Sequence, residues 1–396
     1  MKLLLIIDDY LPLSTKVAAK MMHELALEFQ KKGHDVTVLT PNPFQKKPLD
    51  VQNLDGIKIL FFKSGEIKNI NKFKRAINET FLSRLAYKSC KEHLIENPCD
   101  GIIYFSPSIF FGPLVKKVKN LWNCKTYLIL RDIFPQWAVD NDLLKYNSII
   151  HNYFKFFEKL NYRVADTIGV MSGANLNFFK SKKYNISKFE ILYNWSEIKD
   201  SPKTGNYFRE KLNLKGKIVF FYGGNIGHAQ QMSNLIILAK RFKLNKSFHF
   251  VFVGKGDEVP LLLDEIKTNN VDNVTYLKAV DQSTYTKMLN EFDIGMFSLH
   301  SNHKTHNFPG KLLSYMAFEK PIIGCVNKGN DLADIVNSAK VGIIVNSLDK
   351  ISLYNAAKKL IDSKVLRNKY GENGKKLLVD KFSVTNASSQ ILNTFK

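Results

Sequence analysis

Apolar positions along the chain follow two alternating patterns. Short continuous apolar runs, such as Leu3–Ile7 and Val36–Leu39, have the length of buried strands. Between these two runs, apolar residues from Val17 to Phe29 recur at helical spacing, and Gly33 follows where a helix would end. The first forty residues therefore predict a strand, a helix and a second strand.

The same alternation continues to residue 195 and then begins again after a polar stretch at 196–205. Further strands are predicted in the first half at 101–105, 126–130, 167–171 and 190–192, and in the second half at 218–222, 248–253, 274–277, 294–297, 321–326 and 342–345. Buried strands that alternate with helices indicate parallel sheets covered on both faces. The predicted fold class is α/β, with two successive doubly wound domains that face each other across a deep cleft.

The charge of the chain changes this picture by pointing to an anionic partner. The 396 residues carry a net charge of +22, and each half contributes +11, since residues 1–195 hold 29 basic and 18 acidic residues. Nucleic acid, an anionic membrane and a phosphate-rich substrate are all compatible with such a field. A Lys-rich and Asn-rich composition typical of AT-rich genomes is a simpler alternative.

Cysteine spacing and hydropathy exclude several classes of protein. The four cysteines lack CxxC spacing, which argues against a zinc site or a disulfide framework. The first apolar run stops at Asp8, too early for a signal peptide. The longest uncharged stretch, Gly101 to Val115, is shorter than the ~20 residues of a spanning helix. We expect a soluble protein or one bound to a membrane surface.

Two glycine-containing turns follow predicted strands of the second half. The segment 223–227 contains Gly224, Asn225 and Gly227, and the segment 253–257 contains Lys255. Glycines let the backbone approach a phosphate, and the helix start that follows offers free N–H donors. Ordinary tight turns and a solvated lysine are the alternatives.

A third motif, Phe308-Pro309-Gly310-Lys311, precedes an apolar helical run. Pro309 suits a first helical position, and Lys311 can stabilise the charge that develops on a departing nucleotide. A helix start with an exposed lysine is the alternative. Upstream, His300, His303 and His306 recur every third residue, but no carboxylate or cysteine completes a ligand set, so we predict no metal.

In the first half, Arg131 and Asp132 follow a predicted strand. A carboxylate at a strand end can orient a hydroxyl or accept its proton. An Arg–Asp pair that caps the next helix is the alternative. Trp137, just downstream, is expected to face lipid, a sugar ring or the core.

A basic helix is predicted over 67–96. It carries seven basic residues and an apolar stripe of Ile70, Phe73, Ile77, Phe81 and Leu85. Such a helix suits a membrane face. Alternatively, the stripe packs against the domain.

Taken in order, the motifs resemble the retaining glycosyltransferases of family 4, which have the GT-B fold. The segments that carry the resemblance are 32–38, 131–135, 192–195, 224–227 and 308–321. Within the family, the chain is most similar to bacterial O-antigen N-acetyl-L-fucosaminyltransferases. The resemblance implies an acceptor domain over 1–195, a nucleotide-sugar domain over 196–380 and a helix at 381–396 that crosses back to the first domain.

The resemblance also implies the reaction, its partners and its residues. A sugar would move from a UDP-sugar to an undecaprenyl-diphosphate-linked saccharide, without metal or other cofactor, at the inner face of the plasma membrane. Asp132, Lys311 and His306 are the expected catalytic residues. The expected donor-binding residues are Gly224, Asn225, Gly227, Lys255, Ala279, Val280, Phe308, Pro309, Gly310 and Ser314, and the expected acceptor-binding residues are Lys16, Arg131 and Trp137.

The chain departs from the family pattern in three places. A pair of glutamates spaced by seven residues is replaced by His306 and Ser314. Basic residues that hold the diphosphate are replaced by Asn225 and Gln231, and a glycine pair after the first strand is replaced near Lys16. Two other functions stay open from sequence: a sugar-nucleotide epimerase of the same fold, and a nucleic-acid-binding protein, for which no motif is present.

Overall fold

The computed structural model describes residues 1–14, 16–68, 70–140, 142–197, 205–301 and 309–396. These residues form two compact units. Unit 1 comprises Met1–Trp195 together with Val384–Lys396, and unit 2 comprises Ser196–Ser383. Within the described ranges, no helix combines the length and apolar content that crossing a bilayer requires.

Unit 1 is an eight-stranded sheet with helices on both faces. Its strands are β1 Lys2–Ile6, β2 Asp35–Asn42, β3 Leu49–Leu54, β4 Ile57–Lys63, β5 Gly101–Ser106, β6 Lys125–Leu130, β7 Thr167–Val170 and β8 Phe189–Ile191. Its helices are α1 Val17–Lys31, α2 Lys72–Glu96, α3 Gly112–Trp122, α4 Gln136–Asp140, α5 Ile149–Val164, α6 Gly173–Ser181 and, at the C-terminus, α15 Val384–Asn393. The strand order is β3-β4-β2-β1-β5-β6-β7-β8.

The β3–β4 hairpin is absent from the sequence prediction. β3 pairs antiparallel with β4, so the first sheet is mixed rather than wholly parallel. Asp55 and Gly56 join the two strands with φ angles of 51° and 83°. An Asp-Gly turn with two positive φ angles is a strong hairpin signal, and it was the local feature that would have predicted this edge.

Alternate side chains of β1 enter two core layers, because successive residues of a strand point to opposite faces. Leu4 and Ile6 pack with residues of α2 and α3, whereas Leu3 and Leu5 pack with residues of α1 and α15. Lys32 follows α1, and its Nζ donates a hydrogen bond of 2.6 Å to Ser388 on α15. The C-terminal helix is therefore part of the core of unit 1.

Unit 2 is a six-stranded parallel sheet. Its strands are β9 Ile218–Asn225, β10 Phe248–Lys255, β11 Val274–Lys278, β12 Ile294–Ser298, β13 Ile322–Val326 and β14 Gly342–Asn346, in the order β11-β10-β9-β12-β13-β14. Its helices are α7 Tyr207–Lys211, α8 Ser233–Arg241, α9 Val259–Thr268, α10 Gln282–Glu291, α11 Gly310–Ala317, α12 Asp331–Ser338, α13 Lys350–Asp362 and α14 Lys364–Lys381. Because all strands run the same way, their carboxyl ends share one edge.

Candidate functional site

The predicted donor residues of unit 2 gather at the carboxyl edge of its sheet. In the strand register, Gly224 lies opposite Gly254 and Asn225 lies opposite Lys255. Lys278, the residue before Ala279 and Val280, ends the next strand beyond β10 and lies opposite Gly254. Neighbouring strands are about 4.8 Å apart, so these strand ends form one continuous row.

Two glycines permit the close approach of the first two loops. Gly224 has a φ of +134°, a conformation that other residues rarely adopt. A Cβ on Gly254 would lie 1.9 Å from the carbonyl oxygen of Gly224. The two strand ends can therefore approach this closely only because side chains are missing at these positions.

Asn225 and Gly227 are engaged within their own loop. The Asn225 Nδ2 donates a hydrogen bond of 2.9 Å to the Gln230 Oε1, and the Gly227 amide donates one of 3.2 Å to the same oxygen. A diphosphate that used these donors would have to take the place of the Gln230 amide. Gln230 is a site residue that the sequence prediction missed.

Lys311 reaches back from α11 to the end of β9. Its Nζ lies 3.7 Å from the centroid of the Tyr222 ring. A Cβ on Gly224 would lie 3.3 Å from the same nitrogen, so the ammonium lies beside the Gly224 backbone. Pro309 is the N-cap of α11, and Gly310 is its first residue. The prediction that Pro309 is the first helical residue was therefore wrong by one position.

Burial changes the acidity of Lys311. Loss of hydration lowers the pKa of its ammonium to about 7, and no charged neighbour contributes to the shift. The side chain is partly exposed to solvent, so an incoming anion can reach it. A bound diphosphate would favour the charged form, since an opposite charge raises the pKa of an ammonium.

Two tyrosines, Tyr285 and Tyr315, lie beside Gly223 at the end of β9. Ser314 hydrogen-bonds with Tyr285, whose pKa is raised by burial. The Tyr315 hydroxyl donates to the Met296 carbonyl at 3.0 Å and accepts from the Gly223 amide at 3.3 Å. Tyr285 lies on α10, outside every sequence motif, whereas Tyr315 lies in the 308–321 segment but was given no role there.

His306 and Phe308 lie outside the described residues. The His300 amide donates to the Ala229 carbonyl at 2.9 Å, and its ring centroid is 4.8 Å from that of His228. Across the part of the chain that the structure describes, no three His, Cys, Asp or Glu side chains form a group suited to a metal ion.

The carboxyl edge of unit 1 carries Asp132, the second residue after β6. Loss of hydration raises the pKa of its carboxyl group, and the charge of Asp8 raises it further. The side chain is exposed, so water moderates this rise. A carboxylate whose pKa is raised is a better proton acceptor than an ordinary one.

Asp8 and Asp9, which the sequence prediction missed as site residues, follow β1 at the same edge. The Lys68 Nζ lies 2.8 Å from an Asp8 carboxylate oxygen, and the Lys16 Nζ lies 3.5 Å from one of Asp9. Lys16 is thus held by an ion pair. Two consecutive aspartates after a predicted strand were the sequence feature that could have identified these site residues.

Arg131 is mostly a core residue. Its side chain is 8% exposed, and its Nη2 donates a hydrogen bond of 3.3 Å to the Tyr193 carbonyl. Its guanidinium lies 5.3 Å from the Trp195 ring. Burial lowers the pKa of Arg131 to about 10. Trp137 lies on α4, with its ring 5.9 Å from that of Phe134.

The predicted apolar stripe of the basic helix is largely exposed. Phe73, Ile77 and Phe81 are exposed, whereas Leu82 and Leu94 are among the residues that pack into the core. The alternative in which the stripe packs against the domain was therefore wrong for these three residues, because a neighbouring face of α2 supplies the packing.

Comparison with known protein families finds a match within unit 2. Residues 205–377 match the family model described as Glycosyl transferases group 1. Probable glycosyltransferase WbjE of Pseudomonas aeruginosa is 24% identical over 225 residues, which are 55% of this chain and 55% of that protein. The chain thus matches about half the length of this curated relative.

Many solved structures align over the whole chain, and two examples illustrate the likeness. Sucrose-phosphate synthase from Thermosynechococcus elongatus has a TM-score of 0.75 at 14% identity, over 100% of this chain and 98% of that one. HepE of Anabaena, in complex with UDP-glucose, has a TM-score of 0.70 at 15% identity, over 100% and 99%. The predicted fold class of two Rossmann-like units is confirmed. The chain therefore has the GT-B fold, and its residues 205–377 match the family of glycosyl transferases group 1.

Proposed function

We propose that the chain is a retaining glycosyltransferase that moves a sugar from a UDP-sugar to an undecaprenyl-diphosphate-linked saccharide. The proposed setting is O-antigen or capsule synthesis on the cytoplasmic side, at the inner face of the plasma membrane. N-acetyl-L-fucosamine is the first donor sugar to test, because of the resemblance noted in the sequence.

The position of Lys311 is the observation that carries the proposal. Its ammonium lies at the start of α11, beside the Gly224 backbone and over the Tyr222 ring. When the bond between the sugar and the diphosphate breaks, negative charge grows on the departing UDP. An ammonium and helix-start amides at that point stabilise the charge and lower the barrier.

The other donor roles follow from positions along the same edge. We assign the base to Ala279 and Val280, and the diphosphate to the backbone near Gly224 and the start of α11, with Lys255 beside it. Ser314, together with His306 and Phe308, completes the proposed donor set. UDP-glucose in the HepE complex supports a nucleoside diphosphate sugar as the ligand of this fold.

The acceptor is assigned to unit 1. Asp132 orients the acceptor hydroxyl, with Lys16 and Trp137 near the acceptor phosphate or sugar. In the proposed reaction, the acceptor oxygen forms a bond to the anomeric carbon on the face that UDP leaves, and the leaving phosphate takes the hydroxyl proton. Arg131 supports this edge through its contacts with the backbone of Tyr193 and the ring of Trp195.

The two alternatives from the sequence are not favoured. The family model that matches unit 2 is one of transferases rather than epimerases. The relative in Pseudomonas aeruginosa is likewise described as a glycosyltransferase. Nucleic-acid binding is supported only by the net charge of the chain.

The experiment that tests the proposal is thermal stabilisation of the protein by UDP, GDP, ADP and dTDP. A ligand that binds only the folded state adds about 2.7 kcal/mol at a hundred times its Kd. We expect a shift with UDP that EDTA does not change, since the proposed site needs no metal. A shift with another nucleotide alone would overturn the UDP assignment.

A further inference from the structure

The outer surfaces of α2 and α5 leave bulky apolar side chains in water. On α2, Phe73 is 75% exposed, and Ile77 and Phe81 are about half exposed. On α5, Ile149 is 90% and Phe156 62% exposed. Contiguous exposed apolar side chains of this size are unusual on a monomer and mark an interaction surface.

The two sets lie side by side. The Thr80 hydroxyl, between Ile77 and Phe81 on α2, hydrogen-bonds with the Tyr153 hydroxyl on α5. Residues three and four apart are neighbours on a helix surface, so Ile149 and Phe156 flank Tyr153. We call the six residues Phe73, Ile77, Phe81, Ile149, Tyr153 and Phe156 the α2–α5 patch.

Neighbouring faces of both helices account for their packing. Leu82, Ala86, Cys90 and Leu94 of α2 lie in the core of unit 1. On α5, the Phe157 ring packs 4.8 Å from that of Phe110, and Tyr162 is buried. Folding of unit 1 therefore does not require the exposed side chains of the patch.

Basic residues continue the exposed faces. On α2 the exposed series runs from Phe73, Ile77 and Phe81 through Arg84, Lys88 and Lys91, at spacings of three and four residues. On α5, exposed Lys159 and Arg163 follow Phe156 at the same spacings. The acidic residues Glu92 and Glu96 lie at the far end of α2. Each helix thus presents an apolar first half and a basic second half.

We propose that the α2–α5 patch and its basic continuation dock the protein on an anionic lipid bilayer. Aromatic and aliphatic side chains enter the boundary between headgroups and acyl chains, while lysine and arginine remain at the phosphate level. A second copy of the chain fits the surface poorly, since both copies would bring the same positive charge. The biological reason for docking, a lipid-linked acceptor, rests on the proposed function, whereas the physical argument does not.

The test is co-sedimentation with phosphatidylcholine vesicles prepared with and without phosphatidylglycerol. We expect binding only where phosphatidylglycerol is present, and weaker binding as salt screens the charges. The variants Phe73→Ser with Phe156→Ser, and Arg84→Glu with Lys88→Glu, should each weaken binding by more than about tenfold.

Matched controls lie on unit 2. Leu244 and Val365 are 90% and 78% exposed, and Lys364 and Lys369 of α14 are exposed. Changing the first pair to Ser, or the second pair to Glu, should leave vesicle binding within about twofold of the original value. Two exposed apolar residues are replaced, or two positive charges are reversed, in each comparison, so the position on the molecule is the main difference.

Equal loss of binding in patch and control variants would overturn the proposal, as would equal binding to both kinds of vesicle. The proposal would also be overturned if the protein self-associates, does not bind vesicles, and becomes monomeric when Phe73 and Phe156 are changed. UDP stabilisation is measured on every variant and should stay unchanged. Vesicle binding without any nucleotide effect would therefore count against the proposed reaction and not against the docking surface.

Discussion

The carboxyl edges of the two sheets are made of the same elements but hold their positive charges differently. In unit 1, Lys68 pairs with Asp8 and Lys16 with Asp9. In unit 2, Lys311 lies on the Tyr222 ring, and loss of hydration is the one cause of its lowered pKa. Lys68 and Lys16 at the first edge are paired with carboxylates, whereas no charged neighbour shifts the pKa of Lys311 at the second edge.

The two units therefore differ in where their charged side chains lie, although both are built on parallel strands and helices. An aromatic ring stabilises an ammonium by only about 0.5–2 kcal/mol, so much of the demand for an anion remains. A carboxylate partner satisfies that demand within the protein. Unit 2 is therefore suited to a diphosphate, and unit 1 is suited to a ligand that interacts with carboxylates, such as a hydroxyl group.

The largest expected effect is that of Lys311→Ala. Turnover of a UDP-sugar should fall by roughly 10²-fold or more, the scale of one lost transition-state donor. The turnover is measured as consumption of the UDP-sugar in the presence of a polyprenyl-linked acceptor. Lys255→Ala removes an exposed lysine at the end of the neighbouring strand and should cost less than about threefold, since flexible exposed charges contribute little. Near-normal turnover of Lys311→Ala would show that the unpaired charge of Lys311 does not distinguish the carboxyl edge of unit 2 in function.

The corresponding change in unit 1 is Asp132→Asn. We expect kcat to fall by about tenfold or more, because a neutral amide accepts a hydrogen bond from the acceptor hydroxyl less strongly than a carboxylate and orients it less well. Calorimetric affinity for UDP should be unchanged. Asp142→Asn, at an exposed position of the same unit, is the control. A change in UDP affinity with unaltered kcat would place Asp132 on the donor side instead.

The lowered pKa of Lys311 predicts a pH dependence of UDP binding. The free ammonium titrates near pH 7, and bound diphosphate raises its pKa, so the complex holds one more proton than the free protein above pH 7. The association constant should therefore fall by about tenfold per pH unit above 7, until the raised pKa is reached.

Titration calorimetry between pH 7 and 9, in buffers of different ionisation enthalpy, measures the proton taken up. In this range the phosphate of UDP is already ionised, because such groups titrate near pH 6. Lys311→Gln should bind more weakly and without the pH slope. An unchanged slope in that variant would assign the proton to another group.

The smallest expected effect is that of Ser314→Ala. Ser314 belongs to the proposed donor set and hydrogen-bonds with Tyr285. A lost hydrogen bond to the donor costs about 1 kcal/mol, so UDP affinity should fall a few-fold. Ser181→Ala removes a comparable exposed hydroxyl on unit 1 and serves as the control. A loss as large as that of Lys311→Ala would show that Ser314 has a greater role than this hydrogen bond.

The motifs at strand ends were accessible from sequence because they depend on local pattern. A glycine turn after an apolar run predicts a strand end, and parallel strands bring such ends to one edge. Gly224, Lys255 and Lys311 could therefore be placed near one another before the structure was known. Their roles in binding remain predictions.

The partners of those residues could not be predicted in the same way. Tyr222 and Tyr285 look like ordinary strand and helix residues, and only packing brings their rings near Lys311 and Gly223. Arg131 looked like a ligand because it follows a strand, but its guanidinium lies near the Trp195 ring. Contacts between distant positions of the chain carry no local periodicity.

The sequence by itself determined the number of units, the strand and helix alternation and the positive charge, because each depends on residue order over a few turns or on composition. Tertiary structure alone decided that Lys311 lies over Tyr222, and that α2 buries Leu82 and Leu94 while it exposes Phe73. A helix with apolar residues on two faces can bury either one. Only the shape of the sheet beneath it selects the face, because that choice depends on packing across the whole unit.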